Sequence, residues 1–286
     1  MFADTAERRP MGISLAATAT RLARRASHRL ARHLPLSPIL MRNRQPLVTF
    51  SFDDVPASAH AMAAPMIEAH SARATFYIAT GLLGQRSDYW TVVGRDEVAD
   101  LHQRGHEIAL HSHLHGSTSL LDAGGLAHDL QRNRETLRDI HRSIEARNFA
   151  YPFGQCTLAR KHQLGSLVRS SRSIYAGVNG HVMDRHYLRA TELCDARLTP
   201  ERLEHHLDQA YRSCGWLIFL LHDVSDTPSI FGCSRRFLDQ ALEATARRGI
   251  RIATADAALD LIAETTAARP FQKLAISQEL GHASGK

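Results

Sequence analysis

"PLVTFSFDDVP", residues 46–56, decides how this chain is read. Pro46–Phe52 is rich in β-branched and aromatic residues and predicts a strand over 46–52. The run ends on two adjacent carboxylates, Asp53 and Asp54. An aspartate after a strand often starts a turn or caps a helix, and an Ala-rich helical stretch, 57–70, begins nearby with Ser58 as a cap. That explains one of the two. The second remains an uncompensated neighbour, which a bound cation would neutralise.

Working outward, strand-like runs recur at 74–79, 106–110, 148–152, 172–177, 216–221 and 250–254. Helical patterns fall between them at 95–105, 125–145, 200–211, 234–248 and 256–265. Seven strands alternating with helices predict an α/β fold with a parallel sheet. "WLIFLL" (216–221) is apolar throughout, as in a strand buried on both faces. No Gly-rich phosphate loop follows the first strand, which argues against a nucleotide-binding doubly wound sheet and for a barrel. In a parallel barrel the chemistry sits at the C-terminal strand ends.

Those ends carry Asp53-Asp54, "HSHLH" (111–115), "YPFG" (151–154) and "LHD" (221–223). Acids and several histidines at one rim point to a divalent-metal site. If the chain turns into a helix after the third strand, His111 and His115 share one face and grip one ion. His113 offers a rival pair with His111, two imidazoles on one side of a strand, and is the less favoured choice. His102 and His106 have the same i, i+4 spacing but lie at the far end of that strand, where structural roles are expected. His222 reads either as a functional group or as a satisfied rim residue. The loop after it, residues 222–234, lies beside the mouth and could shape it.

Composition bounds the rest. The 286 residues are 44% apolar, enough for one sizeable core, and no apolar run is long enough to cross a membrane. Residues 1–44 hold nine Arg against Asp4 and Glu7, a net of +7, so the remaining residues sum to −1. A basic body that binds nucleic acid is therefore not expected. Four Cys without CxxC spacing fit a reducing compartment, and no continuous apolar leader is recognised, so a cytoplasmic protein is expected. The stretch 13–34 mixes Arg with Leu. It predicts either a loosely ordered extension or a basic amphipathic helix making peripheral contact with an anionic membrane.

"TFSFDD", "GHEIALHSHLH", "FAYPFG" and "LIFLLHD" resemble, in order, the motifs of the polysaccharide deacetylases, carbohydrate esterases of family 4 with the NodB homology domain. The resemblance runs from about 46 to 255. It implies a distorted (β/α)7 barrel and the removal of N-acetyl groups from an amino-sugar oligo- or polysaccharide or its biosynthetic precursor. It implies Asp53 as catalytic base, and Asp54, His111 and His115 as ligands of a divalent metal, Zn2+ with Co2+ or Ni2+ as substitutes. It implies Ser112 as a brace of the loop and His222 as general acid, with a nearby carboxylate raising its pKa. Phe153, with Tyr151 beside it, falls at the oxyanion and substrate position. The family's third motif usually carries an Arg that pairs with the catalytic Asp. Ala150 stands there, so Arg172 or Arg189 is expected to supply the charge. The Asp-Trp segment of the family's fourth motif is not recognisable.

The expected organisation is a basic extension (1–44), a catalytic domain (45–265) and a tail (266–286). Two other functions compete: a metal-dependent amidase or esterase on a non-sugar acyl substrate, and a non-catalytic carbohydrate-binding relic.

Overall fold

The computed structural model describes residues 15–267, and residues 18–266 with their side chains. Helix α1 (Leu15–His33) and strand β1 (Pro38–Leu40) precede β2 (Leu47–Asp53), α2 (Ala64–Ala69), β3 (Thr75–Ile78), α3 (Arg95–Gln103), β4 (Glu107–Leu110) and α4 (Ala123–Ile140). Next come β5 (Asn148–Ala150), α5 (Leu158–Leu167), β6 (Ser170–Arg172), β7 (Val182–Asp184), β8 (Thr191–Glu192), α6 (Pro200–Ser213) and β9 (Trp216–Leu221). The described chain closes with β10 (Val224–Ser225), β11 (Cys233–Ser234), α7 (Arg235–Arg247), β12 (Arg251–Ile252) and α8 (Ala255–Ala267).

The main sheet runs β6-β5-β4-β3-β2-β9-β8, with β12 beside the start of β2, and every pairing is parallel. A bridge from Arg172 to Leu188 ties the β6 edge to the segment entering β8 and curls the sheet. This is the expected distorted (β/α)7 architecture. All C-terminal strand ends therefore share one rim.

The strands alternate with period 2, but both faces are buried. Val48, Phe50 and Phe52 join Phe76, Ile108, Leu110 and Phe149 in the main core. The opposite parity is largely polar and satisfied within the curl. Thr75 donates to Glu107, Asn148 to the other oxygen of Glu107, and Ser170 to Asn148. Such a network survives burial only because each member has a partner. It fills the end of the curl where these strands begin, opposite the rim.

Two expectations change. The fifth strand was expected at 172–177, yet β6 ends at Arg172 and residues 173–177 lie outside it. Ser170-Ser171-Arg172 carries no apolar alternation, because Ser170 and Arg172 face the polar interior while Ser171 turns the other way, toward His186. Helix α5 was not foreseen. Its Thr157 cap accepts from the Arg160 N–H, but Lys161 and Gly165 blur its apolar stripe.

The described part of the N-terminal stretch, Leu15–His33, is a helix packed on the body, not a loose extension. His28 Nδ1 hydrogen-bonds the Cys156 backbone (3.1 Å to its carbonyl oxygen) and Nε2 hydrogen-bonds the Tyr175 hydroxyl (2.8 Å). Buried Lys161 donates to the carbonyls of Ala31 and Leu34 and pairs with Asp184 at 2.6 Å, holding the C-terminal end of α1. Lys161→Met is expected to lower stability by about 3–5 kcal/mol, because the Asp184 carboxylate is left nearly buried and unpaired. The urea midpoint checks this, and an unchanged midpoint would show that the pair contributes nothing net.

Candidate active site

Asp53 ends β2 on the polar, inward parity, and β4 delivers His111 on the same parity one residue after its end. Across the curl, the Arg172 guanidinium donates to Asp53, with Arg172 fully buried and Asp53 4% exposed. Strands β2 and β6 are four places apart in the sheet, so only its curvature brings them together. The interior between them is lined by Tyr77, Ala109 and Ala150, and the guanidinium lies 4.8 Å from the Tyr77 ring. Ala150 and Arg172 are register partners on adjacent strands. The charge thus enters at the height of the family's usual Arg position, one strand to the side. Arg189 lies elsewhere, exposed and donating to the Ala176 carbonyl.

Asp54, His111 and His115 each place one ligand atom within 4.8 Å of the others. The Nε2 atoms of His115 and His111 lie 3.1 and 3.7 Å from the Asp54 carboxylate. His111 donates from Nδ1 to the Ala150 carbonyl (2.9 Å), which fixes the tautomer and leaves the Nε2 lone pair facing Asp54. One Asp54 oxygen is buried without a hydrogen bond. Burial pushes His111 down to about 3 and lowers His115, so both imidazoles are neutral at pH 7. Burial also pushes Asp54 up to about 6, helped by Asp53 and opposed by His222. Neutral imidazole lone pairs around a carboxylate short of partners are the donor set that a divalent cation fits. Asp53 differs. Burial raises it, but Arg172, His111 and His222 together hold it below the usual carboxylate range.

The ligand loop is not helical. His111 and His115 meet because Ser112 (φ 68°) and His115 (φ 52°) are left-handed. Asp54, Val55 and Phe153 are left-handed too, so five of the seven such non-glycine residues among the described residues cluster here. Each costs about 1–3 kcal/mol, and the surrounding packing must hold it. Two residues of α4 do much of this. Asp129 accepts from the His113 and Leu114 N–H groups (3.0 and 3.1 Å), and Asn133 accepts from the His111 N–H (3.2 Å). The sequence reading missed both, although they interrupt the Leu126, Leu130, Leu137 stripe of α4 with buried polar groups. The Ser112 hydroxyl, expected to brace the loop, is buried without a partner. His113 turns to Thr80 (2.9 Å) and is outside the cluster, so the His111/His113 pairing fails.

Around this cluster is a cavity of about 550 Å³. His222 lines it, its ring stacked on Trp90 with centroids 5.4 Å apart. Its Nδ1 is buried without a partner, so the expected carboxylate neighbour is not hydrogen-bonded to it. Asp223 instead accepts from the Ser229 N–H and hydroxyl, tying down the loop that brings Phe231 to the wall. Phe153 lines the mouth, its ring 4.8 Å from that of His115. Tyr151 does not reach the cavity. Its hydroxyl donates to the His186 carbonyl and its N–H to the Arg172 carbonyl, because its parity along β5 points into the core. Trp90, Glu192 and Arg197 are among the other lining residues, and no motif announced them. His106 and His102 are structural, bonded to Glu68 and Ser143.

The polysaccharide deacetylase family model matches residues 41–166. No curated protein matches the chain. Among solved structures, a family 4 carbohydrate-esterase pseudoenzyme from Bacillus anthracis is similar at 13% identity and TM-score 0.56, over 77% of this chain and 67% of that one. Bacillus subtilis PdaA, a family 4 carbohydrate esterase, is similar at 15% identity and TM-score 0.55, over 85% and 89%. The chitin deacetylase of the fungal pathogen Colletotrichum lindemuthianum is similar at 15% identity and TM-score 0.54, over 77% and 89%. At these identities the structures speak for the fold. With the family match, they bear out the resemblance read from the four motifs.

Proposed function

We propose, on the premise of that polysaccharide deacetylase likeness, that this chain is a metal-dependent hydrolase removing N-acetyl groups from an amino-sugar-containing saccharide. The observation that carries the reading is the convergence of Asp53–Arg172, the Asp54, His111, His115 cluster and His222 on one cavity. Asp54, His111 and His115 would hold a divalent cation, Zn2+ or in its place Co2+ or Ni2+, which when bound supplies Lewis acidity to the acyl carbonyl and to water.

The chain's own residues do the rest. Asp53, held ionised by Arg172, takes the proton of the attacking water. His222, held in place by Trp90, gives a proton to the leaving amine. The backbone N–H of left-handed Phe153, at the mouth, meets the charge that develops on the carbonyl oxygen. The aromatic wall of Trp90 and Phe231 excludes water from these transfers.

The test is acetate release from an N-acetylglucosamine oligomer by protein stripped of metal and then reloaded. Stripping is expected to lower the rate roughly 10³-fold, with recovery on adding zinc or cobalt. The apolar lining of the cavity favours one second reading, hydrolysis of a non-sugar acyl amide or ester. Faster turnover of simple acyl amides than of the oligomer would select it. Sugar binding without acetate release at any metal loading would make the chain a relic.

A further inference from the structure

Helix α1 has two faces of different chemistry. Ser27, His28 and Ala31 face the body, where Ser27 accepts from the Leu158 N–H and Ala31 is fully buried. At 100° per residue, Leu22, Ala26 and Leu30 form a strip on the opposite side, and Arg21, Arg25 and Arg29 run along one edge of it. All six are exposed; Leu22 is 59% and Leu30 49% open. Leu34 and Leu36 continue the apolar exposure past the helix end, and α1 contains no acid.

A solvated helix does not need leucines on its outer face, and a docking face for nucleic acid would carry arginine without them. An apolar strip edged by arginines on a helix fixed to a folded body matches the interface of an anionic bilayer, with leucines in the acyl boundary and guanidiniums among the headgroups. The charge is segregated to suit, since residues 1–44 carry +7 and the remainder −1. The position also suits, because α1 lies beside the cavity mouth. His28 bonds to Tyr175, and the Arg32 guanidinium lies 3.9 Å from the Tyr175 ring. The preceding residue, Ile174, lines the cavity and is 44% exposed.

We propose that the outer face of α1 docks the protein on an anionic lipid surface. This stands apart from the catalytic reading, since it concerns a different surface and is tested without turnover. The measurement is flotation of the full chain with phosphatidylcholine vesicles, with and without phosphatidylglycerol, across a salt series. Binding is expected only with phosphatidylglycerol and to weaken with salt. The double variant Leu22→Glu/Leu30→Glu is expected to lose binding at least ~10-fold, and Arg21→Gln, Arg25→Gln and Arg29→Gln roughly fivefold each. Circular dichroism and the thermal midpoint should match the parent, since all five side chains are exposed. Equal binding to both vesicle types, or phosphatidylglycerol binding unaffected by the leucine pair, would overturn the proposal. So would tighter binding to duplex DNA that keeps its strength in the leucine variant.

Discussion

Asp53→Asn is expected to lower kcat by ~10²–10⁴-fold while the protein still binds one equivalent of metal. In the proposed reading the two adjacent acids divide the labour. Asp54 has a buried oxygen without a partner beside two neutral imidazoles, whereas Asp53 is already bonded to Arg172. An amide at 53 keeps the shape but cannot accept the proton of water. His115→Ala is the matched control and should lose metal and activity together. If Asp53→Asn retains activity within tenfold, the base is elsewhere. If it loses metal stoichiometry along with activity, Asp53 is a ligand and the division is wrong.

Arg172→Met should act on both stability and pH profile. Removing a fully buried guanidinium leaves Asp53 in the interior without its main opposite charge, a loss of about 3–5 kcal/mol. The sign with pH follows from the lowered Asp53 value. The parent gains stability from this group above the ordinary carboxylate range and loses it as pH falls through the depressed folded value. In Arg172→Met the Asp53 value rises toward what burial alone dictates. The acid limb of kcat/KM should therefore shift to higher pH, and the acid-side loss of stability that Asp53 contributes in the parent should disappear, the variant regaining stability as pH falls through its raised folded value. Because Ala150 and Arg172 face one another in register, Ala150→Arg combined with Arg172→Ala should restore part of both properties. Failure of the exchange, with a folded protein, would show that the guanidinium does more than balance the charge of Asp53.

The parts legible in the sequence were those whose physics is local. "WLIFLL" is β9 residue for residue, because burial on two apolar faces leaves an unbroken apolar run, and "TFSFDD" marks the end of β2, where apolar and polar residues alternate. The histidines after β4 and β9 were readable from their place at strand ends. What stayed hidden depends on curvature. Nothing in Ser170-Ser171-Arg172 reads as a strand, since its task is to fill a polar interior that exists only once the sheet curls. The left-handed residues that bring His111 to His115 were equally hidden, because Ser and His do not announce positive φ as Gly does. Asp129 and Asn133 were recoverable, since polar residues inside an apolar helical stripe need a reason to be there.

Lys161 has a consequence for where this protein can be cut. Two carbonyls at the end of α1 and the Asp184 carboxylate hold its ammonium group. A shortened chain that begins at the first residue of the family match, residue 41, lacks both carbonyls and uncovers the ammonium along with α5. Such a shortened protein should aggregate or clip at the α5 edge, even though every residue of the rim that carries Asp53, His111, His115 and His222 is still encoded.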